Sequence, residues 1–495
     1  TVAPLPVVSY PFAPFKLPGI FFPSSWWNPG LLYSWRQRGL LYLGNRSKTF
    51  AALGYLDGNY VVFSSSFDVI SQVSGPRAPW DRTKKTGEIQ NIPRGAFNIA
   101  TAQMDIYNRH QRIVTPAFNQ DLYRRVWQES AIVFREMSGE EGWDNTDIVR
   151  LGDIKTITGK FTLSIIGRAG FGISGDADTR KVIGSDGLSL REAFRLTGEN
   201  PLIRTMMPSW MFKLPIEKLH RVKSANDLLM STMHKQISAR QAENAGMASD
   251  ARRRDIFHYL MAANDLEESD KALTDEELLS NTFILLFAGH ETSVRVLAYT
   301  IALLACYPEE QDRLSRFVQT TLGSKDAAVC KEYSLLDGAD RSSQDFEHLI
   351  LCPAVAPVVM RRSTEDSLLK VPEISKPVHL PKGTLFVGDI IGICYDAERF
   401  PDPHTFRPER WAGKHFTNED YITFGHGVHM CLGRRFAMYE MVCFITMLVK
   451  TWTVRPELTT GESLIQWRKK VVDDSVRMRI VLGPGDIPIR LERRV

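Results

Sequence analysis

No two cysteines in this sequence are spaced to act together. The six, Cys306, Cys330, Cys352, Cys394, Cys431 and Cys443, are widely scattered and none forms a CxxC. That spacing speaks against a zinc knuckle or a dithiol redox site. It suits a reducing compartment better than a disulfide framework. An excess of charge of one sign is also missing. Lysine plus arginine total 61 against 57 for aspartate plus glutamate, a net +4 over 495 residues. That is too little to single out nucleic acid as a partner. No run of about 18 apolar residues is present to span a bilayer. No internal repeat, low-complexity linker or long charge block divides the chain, although its length alone would suggest roughly three domains.

What is present is a globular composition, 43% apolar and 24% charged, which excludes a disordered or collagen-like chain. The chain opens at Thr1. Residues 1–30 are rich in proline and aromatics, among them Pro4, Pro6, Pro11, Phe21, Phe22, Trp26 and Trp27. Proline at that density cannot sit in a helix interior. Two readings stay open: a loop tucked against the globule, or a hinge following a missing N-terminal anchor. Residues 31–495 read as a single domain. Asp57-Gly58-Asn59 followed by residues 60–63 predicts a hairpin. Residues 105–320 are mostly helical in period, and short strands return at 369–371, 385–387, 480–481 and 487–491. The expected class is mainly α with small β-sheets, an α+β chain.

One helix stands out. Thr274-Asp275-Glu276-Glu277 is a capping box whose acids sit on the positive end of the helix dipole. Apolar residues then run to Cys306, and Pro308 ends the helix. Its roughly 32 residues span about 48 Å. Being apolar on nearly every side, it must cross the protein interior. In its middle, Ala288-Gly289-His290-Glu291-Thr292-Ser293 breaks three local rules in one turn. A mid-helix glycine costs about 1 kcal/mol relative to alanine, and a charge and hydroxyls in a buried helix need partners. Clustered violations of this kind mark functional sites. The structural alternative is a Thr292 hydroxyl bonded back to the helix and a Glu291 paired with a distant arginine.

The second constellation is Phe424-Gly425-His426-Gly427-Val428-His429-Met430-Cys431-Leu432-Gly433, just ahead of an apolar helical run at 436–448. Glycines permit positive φ and close backbone approach. Amides near a helix N-terminus favour thiolate over thiol. A thiolate in a glycine-walled loop suits an axial ligand to a flat macrocycle. A buried structural cysteine is the other reading.

Together the two motifs carry a resemblance. FGHGVHMCLG fits FxxGxxxCxG, and AGHETS fits AGxETS, of the cytochrome P-450 haem-thiolate monooxygenases. Pro353, Arg361-Arg362 and Phe406-Arg407-Pro408-Glu409-Arg410-Trp411 fall between them in that family's order. In style the chain resembles the microsomal eukaryotic branch, a fungal member of it.

The resemblance implies the P-450 fold, with haem b (iron protoporphyrin IX) between the long central helix and the cysteine loop. Cys431 would be the axial thiolate of the iron. Phe424 and Gly425 would shape the loop around the sulfur, and Gly433 would let the next helix approach the haem. His429 and Arg361 would contact propionates, ordinary surface pairing being the other reading of Arg361. Ala288 and Gly289 would leave room for O2, and Glu291 and Thr292 would relay protons. The implied reaction inserts one oxygen atom from O2 into an apolar small molecule. Electrons would come from a separate NADPH-cytochrome P-450 reductase, since no GxGxxG loop in a βαβ pattern is present for a fused one. Arg109, Arg112, Arg434 and Arg435 would form its docking patch, although each alone reads as a solvated charge. Pocket walls are expected from residues 79–98, 206–214, 283–287 and 356–360. Met206, Met207, Trp210, Met211 and Phe212 are apolar enough to face either a membrane or the core. The implied setting is the cytosolic face of the endoplasmic reticulum membrane, in secondary metabolism.

Two departures stand against the family's pattern. Its ExxR motif reads Glu347-His348-Leu349-Ile350 here, so the arginine that would bridge Glu347 and Arg410 is missing. Removing one member of a buried charged network costs about 3–5 kcal/mol. The other ExxR string, Glu310 to Arg313, reads as a surface i,i+3 pair. The family's WxxxR becomes Tyr107 and Gln111, which still donate hydrogen bonds to a propionate but lose the positive charge. Arg112 lies about 100° round the helix. These departures keep open a haem-binding but catalytically impaired paralogue. A peroxide-using haem-thiolate rearrangase is a third class, against which the Glu291–Thr292 pair speaks.

Overall fold

Helices outweigh strands along the chain. The helices are α1 (Tyr33–Arg36), α2 (Phe67–Ser74), α3 (Met104–Val114), α4 (Gln120–Glu140), α5 (Lys155–Ile165), α6 (Leu190–Glu199), α7 (Glu217–Gly246), α8 (Ile256–Asp265), α9 (Asp275–Cys306), α10 (Pro308–Leu322), α11 (Ile390–Cys394), α12 (Arg434–Thr451) and α13 (Leu464–Arg468). The strands are β1 (Val7–Tyr10), β2 (Thr49–Gly54), β3 (Tyr60–Ser64), β4 (Trp80–Asp81), β5 (Ile148–Leu151), β6 (Val358–Ser363), β7 (Ser367–Leu369), β8 (Val378–Leu380), β9 (Leu385–Asp389), β10 (Trp452–Pro456), β11 (Arg477–Met478), β12 (Leu482–Gly483) and β13 (Ile489–Arg493). The computed structural model describes the chain except for residues 1–3, 16–18, 20–21, 26, 29, 31, 37–41, 43–46, 57, 84–95, 173–186, 201–202, 204–206, 247–254, 266, 268–270, 324–357, 409–421, 479–480 and 495. The mainly α class with small sheets is the one expected. The chain forms two compact units, one of residues 1–83, 351–431 and 481–483, the other of 84–350, 432–480 and 484–495.

The first unit is built on a six-stranded sheet in the order β1-β2-β3-β9-β6-β4. The expected hairpin is β2–β3, with Phe50 opposite Phe63 and Gly58 in the turn at φ +64°. β1 lies parallel on β2, Val7 opposite Ala51, and Ala13 packs with Tyr33, Phe50, Phe63 and Val387. The proline-rich start is therefore partly strand and partly core. β7 and β8 make a small hairpin that starts two residues before the strand expected at 369. Asp389 ends β9 and caps α11, its Oδ1 accepting the Gly392 N–H at 3.0 Å while the Tyr42 hydroxyl donates to Oδ2 at 3.0 Å. Burial raises this carboxyl to about 6.

In the second unit α9 runs for 32 residues. The Thr274 hydroxyl accepts the Glu277 N–H at 3.2 Å and the Glu277 carboxylate accepts the Thr274 N–H at 3.0 Å, which is the capping box read from the sequence. Glu277 also pairs with Arg109, and Asn281 contacts His110 Nδ1 at 2.8 Å. α9 packs along α5 and α12. β10, β13 and β5 form a three-stranded antiparallel sheet. No helix among the described residues is long and apolar enough to cross a membrane.

Two expectations on charged pairs change. Arg109 and Arg112 are engaged within the unit, Arg109 with Glu277 in the acidic start of α9 and Arg112 with Glu267, between α8 and α9, at 2.8 Å. The Glu310–Arg313 pair exists at 3.0 Å, but Glu310 is buried. Cys306 and Cys443 are core thiols, and burial pushes Cys306 up to about 12 and Cys443 higher still.

Candidate functional site

In the first unit, residues 422–431 form a loop of two single turns. The Gly425 N–H donates to Ile422 O at 2.8 Å, the Met430 N–H to Gly427 O at 3.1 Å, and the Cys431 N–H to Phe424 O at 2.8 Å. Gly425 and Gly427 hold φ of +81° and +74°, a region that costs an L-residue about 1–2 kcal/mol. Gly427 is fixed by packing as well: a Cβ there would lie 1.8 Å from the Ser74 carbonyl oxygen, at the end of α2. The Phe67 ring meets the edge of His426 at 4.9 Å. The loop is thus clamped on α2 and ends in Cys431, which is exposed and not in a disulfide. The buried structural cysteine is excluded.

Beside it lies a basic corner. The His429 side chain is 3% exposed, with Nε2 3.9 Å from Asp81 Oδ1. Burial, then the neighbouring guanidinium groups of Arg82 and Arg361, lower its pKa to about 2. Its ring is therefore a neutral donor. Arg361 is 8% exposed on β6, which removes the surface-pairing reading.

In the second unit α9 is buried from Glu277 to Cys306 except along one stripe. Leu285, Ala288, Gly289, Thr292 and Val296 stay open. Their spacing of three and four places them on a single helix face. The side chains are small or apolar, as a flat ring would need.

Most of the AGHETS turn is paired or packed, the exception being the buried Ser293 hydroxyl, which makes no hydrogen bond. The Thr292 hydroxyl donates to Ala288 O at 2.8 Å. Glu291 is buried and pairs with Arg295, whose Nε lies 3.0 Å from Oε1. The arginine foreseen as distant is one turn along the same helix, a spacing legible in the sequence. Gly289 packs on a π-helical turn, Ile166–Gly170, that extends α5: a Cβ would come 2.9 Å from Ile166 Cδ1. Gly198 of α6 is similarly placed, a Cβ there meeting Phe287 at 3.2 Å and Glu291 Cδ at 3.5 Å. His290 Nδ1 sits 2.8 Å from Thr162 Oγ1, and burial, then Arg191 and Arg295, lower its pKa to about 3.

Glu440 on α12 escaped sequence reading altogether. Its carboxyl is completely buried and burial raises its pKa well above the usual range. Ser293 on α9 opposes that shift without reaching hydrogen-bonding geometry. A glutamate in an apolar helical run was its signal. Tyr107 is buried on α3 and Gln111 half-buried, and Gly433 directly precedes α12. Glu347, Ile350, Pro353, Glu409, Arg410 and Met206 lie outside the described residues, as do residues 84–95 of 79–98 and residues 356–357 of 356–360.

Each of these two sets, taken by itself, is of a kind that suits a haem. One unit offers an exposed sulfur on a rigid loop beside cations suited to carboxylates. The other offers a helix face cleared of bulk. Comparison with known proteins agrees. Residues 53–475 match the family model of cytochrome P450. A cytochrome P450 monooxygenase 124 of Postia placenta is 28% identical over 80% of this chain and 76% of its own length. Cytochrome P450 monooxygenase prx9 of Penicillium rubens is 23% identical over 80% and 76%. The solved structure of retinoic acid bound cyanobacterial CYP120A1 superposes with a TM-score of 0.69, covering 99% of this chain and 100% of that one at 20% identity, which shows the fold. The chain belongs to the cytochrome P450 family, whose members carry haem and act as monooxygenases.

Proposed function

We propose that residues 31–495 form one haem-thiolate monooxygenase domain that inserts an oxygen atom from O2 into an apolar small molecule. Electrons come from a separate NADPH-cytochrome P450 reductase, with Arg434 and Arg435 in its docking surface. The working place is the cytosolic face of the endoplasmic reticulum membrane. The exposed Cys431 on its glycine-locked loop is the observation that carries this reading.

Cys431 Sγ binds the iron, and Phe424, Gly425 and Gly433 keep the surrounding loop and helix start close to the ring. Arg361, His429, Tyr107 and Gln111 hold the propionates. Bound haem supplies the activation of O2 and the oxidation of substrate. Ala288 and Gly289 leave the oxygen side uncrowded. Thr292 Oγ1 donates to Ala288 O and keeps acceptor capacity on its oxygen, so it passes protons when its hydroxyl turns outward. Glu291 is the acid behind it.

The carbon monoxide difference spectrum of the reduced protein tests the ligand. The red-shifted Soret band of a thiolate-ligated haem is expected, and Cys431→Ala should abolish it. A spectrum typical of a neutral thiol overturns the reading. The engagement of Glu291 by Arg295 favours one competing view, an impaired paralogue, to which Ile350 and Gln111 also point. Restoring Ile350→Arg would then raise haem occupancy.

A further inference from the structure

A cavity lies among α5, α6, α7, α8 and α9, all in one compact unit, beside the open stripe of the central helix. It measures about 30 Å³ to a water-sized sphere, where one water needs about 10–15 Å³. That is room for a diatomic molecule and far too little for a substrate. The cavity is also apolar. Apart from Gln236, its polar side chains are threonines, and both hydroxyls are spent on their own helices: Thr232 donates to Leu228 O at 2.7 Å and Thr282 to Leu278 O at 2.9 Å. A water inside would lack the partners that hold buried water, whereas dry apolar cavities take up xenon.

One end of the cavity meets solvent and the other nears Gly289. Of its lining residues, Thr232 is half-buried and Gln236 exposed, one turn apart on α7, and the rest are buried. At the inner end lie Leu286, one turn before Gly289 on α9, and Gly167, in the π-helical turn that extends α5. Ile166, next to Gly167, packs on Gly289, where a Cβ would come 2.9 Å from Ile166 Cδ1. π turns are rare and frequent at functional sites. This one supplies a glycine to the cavity wall and the side chain that meets Gly289. An apolar gas entering at α7 would reach the central helix at its glycine without crossing the substrate face.

We propose that this cavity holds dioxygen and passes it by way of Ile166 to Gly289 on the open face of α9. The inference rests on the reading of that face as the oxygen side of a bound haem.

The test uses the full-length holoprotein. Crystals pressurised with xenon, an apolar stand-in for O2, should show an anomalous peak between Gly167, Met233 and Leu286, and Met233→Phe should abolish it. Binding of O2 to the reduced protein is then timed after flash photolysis of its carbon monoxide complex. Met233→Phe, which fills the cavity, should slow O2 binding several-fold. Ile166→Val, which thins the barrier at Gly289, should speed it. n-Butyl isocyanide is too large for the cavity and should bind Met233→Phe and the parent at the same rate. Absence of xenon from the parent's cavity overturns the proposal. So does xenon there with O2 binding unchanged in both variants. An isocyanide rate that falls along with the O2 rate in Met233→Phe overturns it too, since that variant would then act through the fold. A protein that takes xenon into the cavity but, when reduced, binds neither O2 nor carbon monoxide would instead sink the oxygen-side reading beneath it. Should Met233→Phe not fold, Leu229→Phe on the same wall carries the same comparison.

Discussion

Arg295 grips the Glu291 carboxylate from one helical turn away, its Nε 3.0 Å from Oε1, and both side chains are buried in α9. The acid expected to serve proton delivery is therefore held in an ion pair, and the helix satisfies its own buried charge.

Removing one partner of such a pair leaves the other uncompensated, at a cost of about 3–5 kcal/mol. Arg295→Met should destabilise the protein on that scale in urea unfolding. The double variant Glu291→Leu/Arg295→Met should lose less than the two single losses combined. Strict additivity would show that the pair is not coupled.

Gly427→Ala and Gly58→Ala impose similar backbone strain, with φ of +74° and +64°. At Gly58 nothing lies within 4 Å of a new Cβ, whereas at Gly427 it would overlap the Ser74 carbonyl at 1.8 Å. Gly58→Ala should cost about 1–2 kcal/mol and leave haem content unchanged. Gly427→Ala should displace the cysteine loop, read as lost haem content in the purified protein. Equal haem content in both variants would show that the α2 contact does not position the loop.

Asp389 gives a signed pH dependence. Burial raises its carboxyl from 3.8 to about 6 in the fold. The acid form is the one the fold favours. This group's stabilising share is complete below about pH 3.8 and is lost as pH rises through about 6. Asp389→Asn keeps an oxygen for the Gly392 N–H. Its stability relative to the parent should climb across that window by on the order of 3 kcal/mol. Parallel stability profiles would show that Asp389 ionises as it does in the unfolded chain.

Thr292→Ala should leave folding intact, because alanine is the better helix former and the hydroxyl serves only Ala288 O. Product formed per reductant consumed should fall about 10²-fold, the low end of general acid–base effects. Unchanged coupling would remove Thr292 from the relay.

The central helix was legible because its signals are local. Its capping box, apolar run and closing proline lie within one stretch, and α9 has the limits they imply. The cysteine loop was legible for the same reason. Arg295 was there to be read at i+4 from Glu291. Glu310 was read correctly as paired and wrongly as exposed, since an i,i+3 spacing says nothing of what covers the pair.

Composition, motif order and helix period by themselves determined the class of this protein, the one cysteine set in a glycine-rich motif, Cys431, and the turn that breaks helix rules at 288–293. Those features depend on neighbours a few residues away along one chain. Only the tertiary structure decided why Gly427 cannot carry a side chain, which helix Gly289 rests on, and which residue lies across from Asp81. Each answer sets together residues far apart in sequence, Ser74 with Gly427, Ile166 with Gly289 and Asp81 with Arg362. Strand register and helix packing choose such neighbours, and no local pattern encodes them.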